Sequence, residues 1–244
     1  MANKLPRIAA AFWVMKISAT TLGETAGDLL SMTLKVGYAA SSVILLSAFA
    51  VSLALQLGSK RYVPALYWTV ILTTSTAGTT MSDYMDRTLG LGYAKGAAIL
   101  VTSLLCIFAA WRFSVGTLSV TAVTTRKAEV FYWTAILFSN TLGTALGDFL
   151  ADSSGLGFAG GALLIGSLLA LVLAATLFTK ISRVALFWIA FVLTRPFGAT
   201  LGDVLTKSRE QGGVALGTMG SSAVLAAILV VLVALEVREQ RAKA

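Results

Sequence analysis

The 244 residues are 57% hydrophobic and only 12% charged, with a mean hydropathy of +0.85, whereas a soluble domain is about a quarter charged; the chain lacks the polar surface to meet water all round. Histidine is absent and Cys106 is the one cysteine, which excludes histidine triads, the usual zinc sites, haem ligation and a disulfide framework. The net charge of +8 does not point to nucleic acid, because Lys and Arg bound the apolar runs instead of forming a patch.

The first apolar run, 9–29, follows Lys4 and Arg7 and carries Trp13, then Gly23 ten positions on, then Asp28 five further. The second, 37–57, opens at Gly37, nine beyond that aspartate. The third run, 63–84, repeats the order with Trp68, Gly78 and Asp83. The fourth, 92–113, opens at Gly92 and holds Cys106, expected as an ordinary buried side chain. After a Thr/Val/Ser stretch at 116–125, the fifth run, 129–150, brings Trp133, Gly143 and Asp148, and the sixth, 157–179, opens at Gly157. The seventh, 184–205, brings Trp188, Gly198 and Asp203, and Gly212 precedes the eighth, 213–237. Most runs have about 20 residues, enough to cross a hydrocarbon core of about 30 Å.

Columns held in register through four copies define a two-helix internal repeat. The copies start 55, 65 and 55 residues apart, so the expected organisation is two halves, 1–115 and 126–244, joined by a linker at 116–125 within a single membrane domain. Two spans per repeat make all copies face the same way, as parallel rather than inverted repeats. The expected fold is all-α: a polytopic membrane bundle of eight transmembrane helices from four parallel two-helix repeats.

Charge sets the orientation. One end carries Lys4, Arg7, Lys60, Arg61, Arg112, Arg126, Lys127, Lys180, Arg183, Arg238, Arg241 and Lys243, against Lys35, Arg87, Lys95, Lys207 and Arg209 at the other. Twelve against five places both termini in the cytoplasm by the positive-inside rule. Trp13, Trp68, Trp133 and Trp188 then fall at the cytoplasmic interface, as anchors in an aromatic belt. Lys4 and Arg7 ahead of an apolar run mimic a signal peptide, but that run holds the first full repeat motif and is expected to stay in place.

The carboxylates show the opposite bias: Glu24, Asp28, Asp83, Asp86, Asp148, Asp152, Asp203 and Glu210, eight of eleven, lie at or near the far helix ends. Fifteen residues separate each tryptophan from its aspartate, about 22 Å of helix, which keeps the aspartate inside a core of about 30 Å. Thr21, Thr76 and Thr141, with Thr25, Thr80 and Thr200, place a polar stripe on the aspartate side. Gly23/Gly27, Gly78/Ser82, Gly143/Gly147 and Gly198/Gly202 are small-xxx-small pairs that let helices approach closely. If the odd helices meet through these pairs, four carboxylates converge. Arg195, beside Pro196, and Lys16 are the two basic residues inside a span and are expected as counter-charges, with the alternative for Lys16 that it snorkels to the cytoplasmic interface. Glu24 and Asp28, at i and i+4, form a carboxylate pair suited to sharing a proton or a cation. Asp86 and Asp152 are expected as loop charges.

The Trp-x9-Gly-x3-[Gly/Ser]-Asp copies resemble the four tandem repeats of an uncharacterised bacterial membrane-protein family, each repeat with two spans and a tryptophan. The resemblance runs from Trp13 to about Val237 and implies a multi-pass protein of the bacterial inner membrane, without implying an activity. Glu24-Thr-Ala-Gly-Asp28 is also similar, with one extra residue and in one copy only, to the Glu-x-Gly-Asp helices of cation/proton and cation/calcium exchangers.

Without histidine, any ligands are oxygens, which suit Mg²⁺, Mn²⁺, Ca²⁺, Na⁺ or H⁺. The leading reading is a transporter or exchanger of a hard cation through Asp28, Asp83, Asp148 and Asp203, with Glu24 assisting and Arg195 and Lys16 as counter-charges. A bound hard cation is the one cofactor it implies, and its partners are the lipid bilayer and a cation or small solute, not nucleic acid. Two alternatives stay open: a non-transporting membrane assembly or binding protein whose aspartates cap helices, and an exporter of small organic cations with aromatic cation-π walls. Whether the chain forms a homo-oligomer also stays open. No nucleophile–base pair or metal-hydrolase motif is visible, so no enzymatic activity is expected.

Overall fold

A computed structural model describes residues 4–242, so Lys243 of the charge asymmetry lies outside the described residues. Among these residues there is no strand, and eight long helices carry the fold: α1 (Ala10–Asp28), α2 (Tyr38–Gly58), α3 (Pro64–Asp83), α4 (Tyr93–Val115), α5 (Arg126–Asp148), α6 (Gly157–Phe178), α7 (Arg183–Thr206) and α8 (Gly217–Ala242). Two boundaries differ from the hydropathy reading for local reasons. α5 starts at Arg126 because the Thr125 hydroxyl accepts the Ala128 N–H as an N-cap. α8 starts at Gly217 because the preceding segment bonds back to the end of α7, with Val214 and Leu216 N–H donating to the Val204 and Leu205 carbonyls at 2.7 and 2.9 Å. In the first three copies a π turn follows the aspartate directly: Leu29–Thr33, Tyr84–Thr88 and Phe149–Ser153.

The odd helices form a closed ring in which α1 packs on α3, α3 on α5, α5 on α7, and α7 on α1. Each even helix lies outside the ring against the odd helix that follows it: α2 on α3, α4 on α5, α6 on α7, and α8 back on α1. The two halves are thus not separate bundles; each supplies two adjacent members of one ring, and 116–125 runs between α4 and α5 with a single short 3₁₀ turn.

Five helices, α2, α4, α6, α7 and α8, are long and apolar enough to cross a membrane. The ring members α1, α3 and α5 are more polar, and α1 alone buries Lys16, Glu24 and Asp28. The outer helices show the reverse pattern: Val43 is 66% and Leu163 73% exposed. Cys106 lies on the exposed side of α4 and not in a core, because an outer helix turns only one stripe toward the ring.

What closes the ring is a cyclic match between copies. A Cβ on Gly23, Gly78, Gly143 or Gly198 would overlap Ser75, Asn140, Arg195 or Thr20 respectively, always the residue seven after the tryptophan in the next copy. One turn on, Gly27, Gly147 and Gly202 meet Thr79, Ala199 and Glu24 in the same sense. Each odd helix therefore seats a side chain into the glycine of its predecessor, and the fourth seats the first. Gly198→Leu should remove folded protein from detergent extracts or lower its unfolding midpoint, since overpacking of this kind costs about 1–3 kcal/mol or more. Gly220→Leu, which meets nothing within 4 Å, should leave that midpoint unchanged.

Candidate functional site

Four-residue steps along a helix return nearly to the same face with a rise of about 6 Å, and in the ring they stack the four copies in layers. The residue before each tryptophan gives an aromatic layer of Phe12, Tyr67, Tyr132 and Phe187. Below it come Lys16, Ile71, Ile136 and Phe191, then Thr20, Ser75, Asn140 and Arg195, then Glu24, Thr79, Thr144 and Ala199, and last Asp28, Asp83, Asp148 and Asp203. All of these except Phe187 are buried.

Arg195 shows that the layers face the ring axis, because from α7 it reaches the other three ring helices at once. Its Nη2 donates to Glu24 Oε2 at 2.9 Å, Thr79 Oγ1 at 2.5 Å, Thr144 Oγ1 at 2.6 Å and the Ser75 carbonyl at 3.4 Å. The Thr79 hydroxyl in turn donates to Glu24 Oε2 at 3.2 Å. Arg195 Nε and Nη1 are buried without a hydrogen-bond partner. Lys16 also reaches across the ring, donating to Asn140 Oδ1 at 3.3 Å with its ammonium 4.1 Å from the centre of the Phe191 ring. The counter-charge role expected for both is therefore divided: Arg195 pairs with Glu24, while Lys16 meets an amide and an aromatic face.

The repeat aspartates come together in two pairs, each closed by a cation. Arg87 sits between Asp83 and Asp148, with Nε 2.9 Å from one and Nη2 3.1 Å from the other. Lys207 sits between Asp203 at 3.2 Å and Asp28 at 3.9 Å. Burial by itself lowers the Lys207 pKa, but Asp203 and Asp28 more than offset it and hold the ammonium above the usual lysine value, as a fixed cation. Glu24, Asp28 and Asp203 each bring one oxygen within 4.8 Å of the others, a spacing that fits a shared hard cation. Five buried carboxylates thus converge on three cations, Arg87, Lys207 and Arg195, with the Lys16 ammonium two layers above Glu24.

Other sequence expectations land elsewhere. Trp68, Trp133 and Trp188 are buried, so these indoles do not form an outward-facing belt; only Trp13 is part-exposed. Two of them find acceptors inside the protein, Trp68 Nε1 in Glu236 at 2.8 Å and Trp188 Nε1 in the Leu118 carbonyl at 2.9 Å, and they need no interfacial water. Asp86 is buried and accepts from the Ser82 hydroxyl at 3.3 Å, whereas Asp152 is exposed and accepts from Tyr93 at 3.1 Å. The sequence reading overlooked Arg87 and Lys207 as site residues, although each stands four after an aspartate in the second copy of its half. It also overlooked the aromatic layer at the tryptophan end, in which the Tyr67 and Tyr132 hydroxyls pair at 2.6 Å.

With this geometry in place, the chain belongs to the family described as Repeat of Unknown Function (DUF347), which matches it four times, at 11–62, 66–117, 131–182 and 186–242. No curated protein and no solved structure matches the chain.

The axial ion pair has a measurable signature. Glu24→Gln and Arg195→Met should each destabilise the protein by about 3–5 kcal/mol, because each strands a buried charge. The double variant should lose much less than the two losses together in denaturation from mixed micelles. Additive losses would show that the pair carries no mutual dependence.

Proposed function

We propose that this protein is a multi-pass transporter or exchanger of a hard cation, a divalent metal, Na⁺ or H⁺, acting through the axis of its four-helix ring. The observation that carries the reading is the convergence of five buried carboxylates at one end of the axis, three of them close enough to share one cation. Ionisable groups at membrane depth are costly and mark ion or proton paths, and a bound hard cation or added protons would relieve the mutual repulsion of these carboxylates. Glu24, Asp28 and Asp203 are the proposed first ligands, with Asp83 and Asp148 held in reserve by Arg87. Polar layers at the aspartate end and an aromatic layer at the other suit a path closed on one side at a time.

In this reading all eight helices span the bacterial inner membrane, with α1, α3 and α5 shielded from lipid by the apolar outer helices. Both chain ends face the cytoplasm, by the twelve-to-five charge split. In a Cys106→Ser background, cysteines at Ser59 and Thr179 should react only with reagents supplied from the cytoplasm, and one at Ser154 only from outside. Labelling of Ser59 and Ser154 from one side would overturn the eight-span arrangement.

Transport chemistry is tested by thermal-shift titration of purified protein with Mg²⁺, Mn²⁺, Ca²⁺ and Na⁺ across pH. A ligand that binds only the folded state raises stability by mass action, by about 2.7 kcal/mol at a hundredfold excess over Kd. Asp28→Asn and Asp203→Asn should abolish the shift, since Asn keeps the shape and capping ability but not the charge. Wild type that responds to no cation, with Asn variants melting alongside it, would favour a non-transporting assembly protein.

A further inference from the structure

The pseudo-fourfold arrangement creates four related crevices at the tryptophan end, each between an outer helix and the ring helix one beyond its main partner. Three are closed by the chain's own side chains. Between α8 and α3, Glu236 accepts from Tyr62 Oη at 2.7 Å and Trp68 Nε1 at 2.8 Å. Between α2 and α5, Lys4 binds Glu129 at 2.5 Å and donates to the Gln56 carbonyl at 3.2 Å. Between α4 and α7, Trp188 packs on Phe108 and Trp111 with ring centres 4.8 and 5.6 Å apart.

The fourth crevice, between α6 and α1, is instead a groove of about 770 Å³. Ile8, Ile17, Leu169, Leu173 and Phe187 line it, with residues 119–121 of the inter-half linker along one edge. Arg183 is the only charged residue in the lining among the described residues; it is exposed at the start of α7 and donates to the Thr176 carbonyl at the end of α6. Arg7 and Lys180 stand exposed at the same end, and among the described residues no acidic one lines the groove. From Ala10 to Ile17 the lining covers about 10 Å of helix, within one leaflet of a hydrocarbon core of about 30 Å. Both α6 and α7 are apolar enough to cross a membrane, so the groove meets acyl chains along its length and headgroups at its basic mouth.

We propose that this groove is a binding site for one anionic phospholipid, with its acyl chains filling the crevice and its phosphate against Arg183. The lipid completes the fourth contact that side chains supply in the other three copies. The inference is independent of what passes along the axis.

The test is native mass spectrometry of the full chain in micelles containing equal amounts of phosphatidylglycerol and phosphatidylcholine with the same acyl chains. Wild type should retain one phosphatidylglycerol in preference to phosphatidylcholine by about fivefold, the worth of one Arg beside an anionic headgroup. Arg183→Gln should bring the ratio near unity while lipid is still retained. Ala190→Trp, which fills the groove, should eject the lipid, and Leu163→Trp on the exposed side of α6 should not. Equal retention of the two lipids by wild type would overturn the proposal, as would retention untouched by either groove variant. A dimer that buries the groove would assign it to a second copy of the chain instead.

Discussion

Everything on the axis follows from how closely the odd helices approach. Because each seats a side chain into a glycine of its neighbour, the ring brings its four axial faces together and their charged groups meet across it. Its ionisable groups must answer one another, and they do so in order: Lys16 on an amide and an aromatic face, Arg195 on Glu24 and two threonines, then two aspartate pairs each closed by a cation. A buried ion pair adds little net stability over an apolar substitute, but losing one partner is costly.

Departures from symmetry do the discriminating. In the layer seven after tryptophan, Thr20, Ser75 and Asn140 are neutral and only Arg195 is charged; in the next layer only Glu24 is. Four identical copies would have stacked four like charges at one level. Placing one cation and one anion in adjacent layers, on neighbouring helices, gives a single oriented pair and breaks the fourfold equivalence of the aspartates below it. Arg87 and Lys207, present in the second and fourth copies only, reduce the aspartates further to a twofold arrangement that matches the duplication of a four-helix half.

The repeat, its eight helices and the close contacts at the small residues were legible because each rests on a local rule: length, apolar runs, and small residues four apart. The axis itself was harder to read. Tryptophan is the most visible column, yet the axial face belongs to the residue before it, and a one-position error is a rotation of about 100° on a helix. Two of the indoles find their acceptors off the axis, Trp68 in Glu236 on α8 and Trp188 in the Leu118 carbonyl of the linker, and neither acceptor lies in the same repeat. Lys16 and Asp86 were misjudged for a related reason: burial depends on which neighbour covers a face, and no single helix carries that information.

The Glu24–Arg195 pair also bears on how the protein is made. The two residues are 171 positions apart, so α1 leaves the ribosome with three ionisable side chains whose partners, Asn140 on α5, Arg195 on α7 and Lys207 just beyond it, do not yet exist. Only when α7 arrives can the guanidinium meet the carboxylate, and only when α8 folds back onto α1 is the ring wrapped on its last side. The first helix is thus the last to be completed. Until then its polar face lacks the partners that only the finished bundle supplies.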